Sequence, residues 1–158
     1  QHLWPRAAII ASDIDPVAVE TARRFAAANS VRLSTGKNTQ KGRLTLLTAP
    51  GTAHPAIRGR APYDLLIANI LAGPLIELAP AFAAVLAPGG TLILAGLLDR
   101  QVGDVTRAYA RHGLRLLERR DRGDWPTLHL VKRRRFGHRR PLRAQGLTSQ
   151  PAGDTGEW

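Results

Sequence analysis

The chain has 158 residues, 44% of them hydrophobic, enough for one domain with a sizeable core. It contains no cysteine, so disulfide frames, thiolate metal sites and thiol nucleophiles are excluded together. The net charge of +11 invites a nucleic-acid partner, but seven of the 23 basic residues fall between Lys132 and Arg143, and the body is only moderately basic.

In chain order, Gln1–Arg6 has neither the basic region nor the apolar stretch of a secretory signal, and no apolar run anywhere approaches the roughly 18 to 20 residues that span a bilayer. The chain therefore reads as cytoplasmic, with no membrane role. It opens on Gln and has no Met, so it reads as an internal piece of a longer protein. Ala7–Ser12 (AAIIAS) is a short apolar run, expected as a buried strand, that leads to Asp13, Asp15 and Pro16. Asp15 is the natural cap of a helix over Pro16–Asn29, whose apolar positions Val17, Ala18, Ala22, Phe25 and Ala26 recur at helical spacing.

A second strand is expected at Leu44–Leu47, then a breaker-rich stretch from Pro50 to Pro62. Tyr63–Asn69 (YDLLIAN) is nearly continuous apolar, as for a parallel strand covered on both faces. One helix should run from Pro74 to Val85 and stop at Pro88-Gly89-Gly90; Thr91–Leu97 is the next buried strand. Asp99 is placed to cap a helix to His112 that Gly113 ends. Leu114–Arg119 and Thr127–Lys132 read as antiparallel neighbours, because no helix fits between them. Residues 1–132 form the domain in this reading, and 133–158, basic and then rich in Gly, Pro, Ser and Thr, read as a disordered tail.

Strands alternating with helices and closing in a hairpin give an α/β fold with a mostly parallel sheet. Ligands of such sheets bind beyond the carboxyl ends of the strands, which singles out Asp13, Asn69 and the Gly96–Asp99 turn. A carboxylate at Asp13 can accept from both ribose hydroxyls of an adenosine, although Asp13 and Asp15 can also serve the helix start alone. An amide at Asn69 offers an acceptor and a donor at the mouth of the cleft, and equally suits a strand-to-helix turn. The five histidines (2, 54, 112, 129 and 138) lack metal-ligand spacing and read as solvated or hydrogen-bonded surface groups.

Taken together, ASDIDPVAVETARRFAAANSV, YDLLIANILAGPLIELAPAFAAVLAPGGTLILAGLL and GDWPTLHLVKR resemble the ribosomal protein methyltransferases of the PrmA family, from about Ala7 to Lys132. These enzymes trimethylate amino groups of the large-subunit stalk-base protein L-eleven. The resemblance implies a Rossmann-like class-I methyltransferase sheet and S-adenosyl-L-methionine as cofactor, without a metal. It implies a ribose-binding role for Asp13 and, for Asn69, a place beside the methyl-donating sulfonium. It also implies truncation at the amino terminus: the family's first strand and Gly-rich loop, which should hold the methionine end of the cofactor, have no counterpart in Gln1–Arg6. Loss of that strand divides the sheet, so an incomplete and inactive piece is expected. The other readings are a noncatalytic basic RNA- or ribosome-associated remnant, contacting phosphates through the basic tail, and a methyltransferase of RNA or release-factor glutamine. Ile70 and Leu71 after the Asn, where that last class places paired prolines, argue against it.

Overall fold

The structure, a computed structural model, describes residues 3–34 and 40–134. The expected disordered tail therefore lies outside the described residues beyond Arg134. The apolar run at the start forms β1 (Ala8–Asp13), pairing in parallel with β2 (Arg43–Thr48) from Ala8 opposite Arg43 to Asp13 opposite Thr48. Between them α1 (Pro16–Ala28) makes the crossover. Asp15 caps it as expected, its Oδ1 accepting from the Val17 N–H at 2.8 Å, with Pro16 in the first turn where no N–H is missed. The helix buries Val19 and Ala26 and half-buries Ala18 and Ala22, so only part of the expected face turns inward: Val17 and Phe25 are 69% and 66% exposed. The expected periodicity was that of a helix, but its apolar stripe is wider than the surface β1 and β2 offer it.

The larger sheet holds β3 (Tyr63–Asn69), β4 (Leu86–Ala95), β5 (Leu114–Arg122) and β6 (Trp125–Lys132) in the order β3-β4-β6-β5. β3 and β4 are parallel, and β6 is antiparallel to both β4 and β5. The hairpin expected at the end is present, closed by Gly123 (φ 61°) and Asp124 between the paired Arg122 and Trp125. β1 and β3 belong to different sheets, and among the described residues no strand pairs with the second edge of either.

The core lies on one face of the four-stranded sheet. Leu92, Leu94, Leu128 and Leu130 pack there against Leu75 of α3 (Ala72–Glu77), Phe82 of α4 (Ala79–Val85) and Val105 and Tyr109 of α5 (Val102–Arg111). Leu66 and Ala68 of β3 join them, whereas Ile67, pointing the other way, is 62% exposed. The expectation that this strand is covered on both faces is thus corrected: α3, α4 and α5 all serve the same face.

Three further boundaries differ from expectation for local reasons. The helix expected over Pro74–Val85 is two, α3 (Ala72–Glu77) and α4 (Ala79–Val85), because Pro80 has no N–H for the Ile76 carbonyl and its ring crowds that turn. Pro88-Gly89-Gly90 does not precede β4 but lies within it, as an irregularity between the pairs Tyr63–Leu86 and Leu65–Thr91, with Gly89 at φ 82°. Asp99 caps nothing. A short 3-10 turn (Asp99–Gln101) precedes α5, and the Gln101 side chain accepts the Leu98 N–H at 2.8 Å. An unexpected one-turn helix, α2 (Pro55–Arg58), sits in the breaker-rich stretch, with His54 Nδ1 accepting the Ala56 N–H. The loop before it lies against the α3–α4 junction: an added Cβ on Gly51 would lie 2.6 Å from the Leu78 side chain. No helix among the described residues is long and apolar enough to cross a membrane.

Candidate active site at the carboxyl ends of the parallel strands

Asp13 is the last residue of β1 and is exposed. Its main-chain carbonyl accepts from the Ala49 N–H at 2.8 Å, fixing the strand end against the segment that leaves β2. Its Oδ1 accepts from the Asp15 N–H at 2.9 Å, and among the described residues its other carboxylate oxygen has no partner. The two acids thus divide the work. Asp15 satisfies the helix, and Asp13 is tethered by one oxygen with the other presented at the strand end.

Asn69 ends β3, opposite Ala95 at the end of β4, and is also exposed. Its side-chain amide has no hydrogen-bond partner among the described residues. Exposed Leu71 follows it and precedes α3. Both candidate residues therefore stand at carboxyl ends of parallel strands, on two sheets that share no strand pairing.

The Gly96–Asp99 turn leaves β4 beside Asn69. Asp99, expected as a cap, instead receives the Arg119 guanidinium, which also donates to Asp121 at 2.7 Å. These two hydrogen bonds, Asp121 first, hold Arg119 protonated above the usual arginine range. One strand position further on, Arg120 donates to Glu118 at 2.7 Å and lowers that carboxyl. A cavity of about 360 Å³ at this end is lined by Leu98, Asp99, Arg100 and Asp124. Sequence reasoning missed this grouping, because Asp124 reaches the turn only through the antiparallel register of β4 and β6. A second cavity, about 320 Å³, lies between the loop around Thr52 and α4, and it contains neither Asp13 nor Asn69.

His129 departs from the expected surface role. Its Nε2 is buried without a hydrogen-bond partner, and its Nδ1 lies 3.9 Å from Glu118. It stands opposite Ile93 and Glu118 on the sheet face that α3 to α5 leave uncovered. Among the described residues no group of three or more His, Cys, Asp or Glu is arranged to hold a metal ion.

The family model described as Ribosomal protein L11 methyltransferase (PrmA) matches residues 3–133. A ribosomal protein L11 methyltransferase of Chelativorans sp. (strain BNC1) is 46% identical over 124 residues, which are 78% of this chain and 40% of that protein. Its counterpart in Brucella abortus (strain S19) is 44% identical over 123 residues, again 78% and 40%. The chain thus spans about 40% of the length of these relatives. Among solved structures, a ribosomal protein L11 methylase of Lactobacillus delbrueckii subsp. bulgaricus superposes with a TM-score of 0.67 at 23% identity, covering 80% of this chain and 58% of that one. A methyltransferase of Pyrococcus furiosus gives 0.57 at 17% identity, covering 77% and 60%. These likenesses bear out the α/β class-I methyltransferase fold with its closing hairpin. With a family match over most of its length, the chain belongs to the ribosomal protein L11 methyltransferase (PrmA) family.

Proposed function

We propose that this chain is the carboxyl-terminal part of an S-adenosyl-L-methionine-dependent N-methyltransferase domain, acting on amino groups of a ribosomal protein in the cytoplasm. The observation that carries the reading is the pair of strand ends. In a chain of this family, Asp13 and Asn69 each close a parallel strand at its carboxyl end, and among the described residues one Asp13 carboxylate oxygen and the Asn69 amide are unengaged. Their donor chemistry fits the cofactor. The free Asp13 oxygen suits a ribose diol, and the tether from the Asp15 N–H keeps the carboxylate from swinging away. Asn69 is uncharged and brings an acceptor to the mouth without repelling a sulfonium.

S-adenosylmethionine supplies the electrophilic methyl group when bound. The protein's part is alignment and exclusion of water. The Asn69 carbonyl accepts an N–H of the incoming amine and points its lone pair along the line of attack. A lysine amine has a pKa near 10.4 in water, so the site must also favour the neutral amine through desolvation. No side chain is assigned as a base.

In this reading the chain alone does not complete the pocket. Among the described residues the second edges of β1 and β3 are unpaired, and a parallel strand carrying a Gly-rich loop would join them and hold the methionine end of the cofactor. The test is calorimetric titration of the cofactor into the 158-residue chain and into a fusion that supplies the preceding part of the Brucella abortus relative. The chain alone should show no micromolar binding, and the fusion should bind and transfer methyl to the ribosomal protein. Within the fusion, Asp13→Ala should weaken binding about 10- to 100-fold, and Asn69→Ala should lower kcat about 100-fold with binding retained. Micromolar binding by the chain alone would refute the incomplete pocket, and a fusion that folds without binding would refute the assignment itself. A second reading, a noncatalytic basic remnant on ribosomal RNA, is supported by the basic run from Lys132 to Arg143, of which Arg133 and Arg134 are exposed. Salt-sensitive RNA binding that is lost when residues 133–158 are deleted would favour it.

A further inference from the structure

Gly96 follows the last residue of β4 and adopts φ +79°, a region that side chains other than glycine rarely enter. Conformation is only half of its constraint. A Cβ at this position would lie 2.9 Å from the Asn69 Oδ1, 2.8 Å from the Ile70 carbonyl oxygen and 3.2 Å from the Ile70 nitrogen. The first two separations are shorter than Cβ contacts adopt, and two of the three atoms are main chain that cannot swing aside. The parallel register explains the crowding: Ala95 is the partner of Asn69, so the chain leaving β4 passes directly against the chain leaving β3.

We infer that Gly96 is the positioning residue for Asn69: its bare α-carbon is the seat against which the Asn69 carbonyl prong rests, and this fixes the direction in which the amide faces the mouth. The Asn69 amide has no hydrogen bond to any described residue, so packing against Gly96 is what orients it. Any side chain at 96 displaces the amide, or displaces the turn from Asn69 into α3. The functional meaning of this seat rests on the assignment of Asn69 proposed above; the seat itself does not.

The test uses the 158-residue chain without cofactor. Asn29, Asn38 and Asn69 are its only asparagines, so the Asn69 side-chain amide signals in a proton–nitrogen spectrum are identified by their loss in Asn69→Ala. In the unmodified chain that amide should be as ordered as the backbone, with an order parameter of roughly 0.8. Gly96→Ala should shift its signals while leaving those of Asn29 in place. Gly96→Ala should also raise the unfolding constant about tenfold less in an Asn69→Ala background than in the parent, because one of the clashing atoms is then gone. A mobile Asn69 amide, with an order parameter below about 0.6, overturns the proposal even if Gly96→Ala fails to fold. Equal penalties in the two backgrounds overturn it as well. If the coupling holds but Asn69→Ala leaves methyl transfer by the fusion intact, the catalytic assignment of Asn69 falls and the seat at Gly96 stands.

Discussion

Tyr109 and Tyr63 are the only tyrosines in the chain, and each spends its hydroxyl on a main-chain carbonyl: Tyr109 on Leu75 at 2.9 Å and Tyr63 on Ile57 at 2.8 Å. Burial raises the pKa of both phenols, with Arg60 pulling Tyr63 partly back. The sign follows from which state ionises first. Below about pH 10 both folded and unfolded chains carry neutral phenols and the contribution to stability is intact. As the pH rises further the unfolded chain ionises more readily, so stability falls. Phenolate absorbance should therefore appear together with loss of tertiary circular dichroism, not ahead of it. Tyr109→Phe should delay the alkaline transition while lowering stability at neutral pH by about 1 kcal/mol, for the hydrogen bond lost to Leu75. Phenolate forming in the folded chain near pH 10 would contradict this. Neither hydroxyl's partner was legible beforehand, since Tyr109 and Leu75 meet only through tertiary packing. By contrast, Asp15 was legible as a cap because its partner is two residues away. Asp99 was misread as one because its partner, Arg119, comes from another strand.

Helices and strands were recovered wherever the apolar run and its stop lie within a few residues of each other, as in α1, β3, α5 and the β5–β6 hairpin. The α3–α4 break and the start of β4 were not. The break follows from Pro80, whose missing N–H and ring interrupt the helix locally, whereas the early start of β4 depends on what receives the carbonyls released at the end of α4, and a side chain far along the chain receives them. Lys132 Nζ donates to the Ala83 and Leu86 carbonyls at 2.6 and 2.7 Å, placing a cation at the negative end of that helix. This contact ties the last residue of β6 to the junction between α4 and β4. Lys132→Met keeps the aliphatic stem and removes the donors, so it should cost about 2 kcal/mol in chemical unfolding. A loss of stability no larger than that of an exposed lysine replaced by methionine would show the contact to be incidental.

The class-I sheet is present in two pieces, and the packing is unequal between them. The hydrophobic core draws on β3, β4, β5 and β6 with α3, α4 and α5, and it includes no residue of β1, α1 or β2. Two strands and one helix with Val17 and Phe25 turned outward are marginal as an independent unit. The outward apolar positions of α1 and the open face of β3 explain why the sequence suggested more burial than the structure provides: on the reading proposed here, their pattern is matched to cover supplied by the part of the domain these 158 residues do not span. Unequal packing has a measurable consequence in hydrogen exchange. Amides of Leu92, Leu94, Leu128, Leu130 and Tyr109 should exchange only through global unfolding. The amides that join β1 to β2 should exchange through openings that cost several kcal/mol less. The fusion that completes the sheet should bring the second group up to the first, because a strand paired to both β1 and β3 makes opening either edge cost the shared ladder. If β1 and the four-stranded sheet already exchange as one cooperative unit in the chain alone, the two pieces are coupled by contacts other than strand pairing. The proposal that the chain alone leaves the pocket incomplete would then lose the divided sheet as its ground.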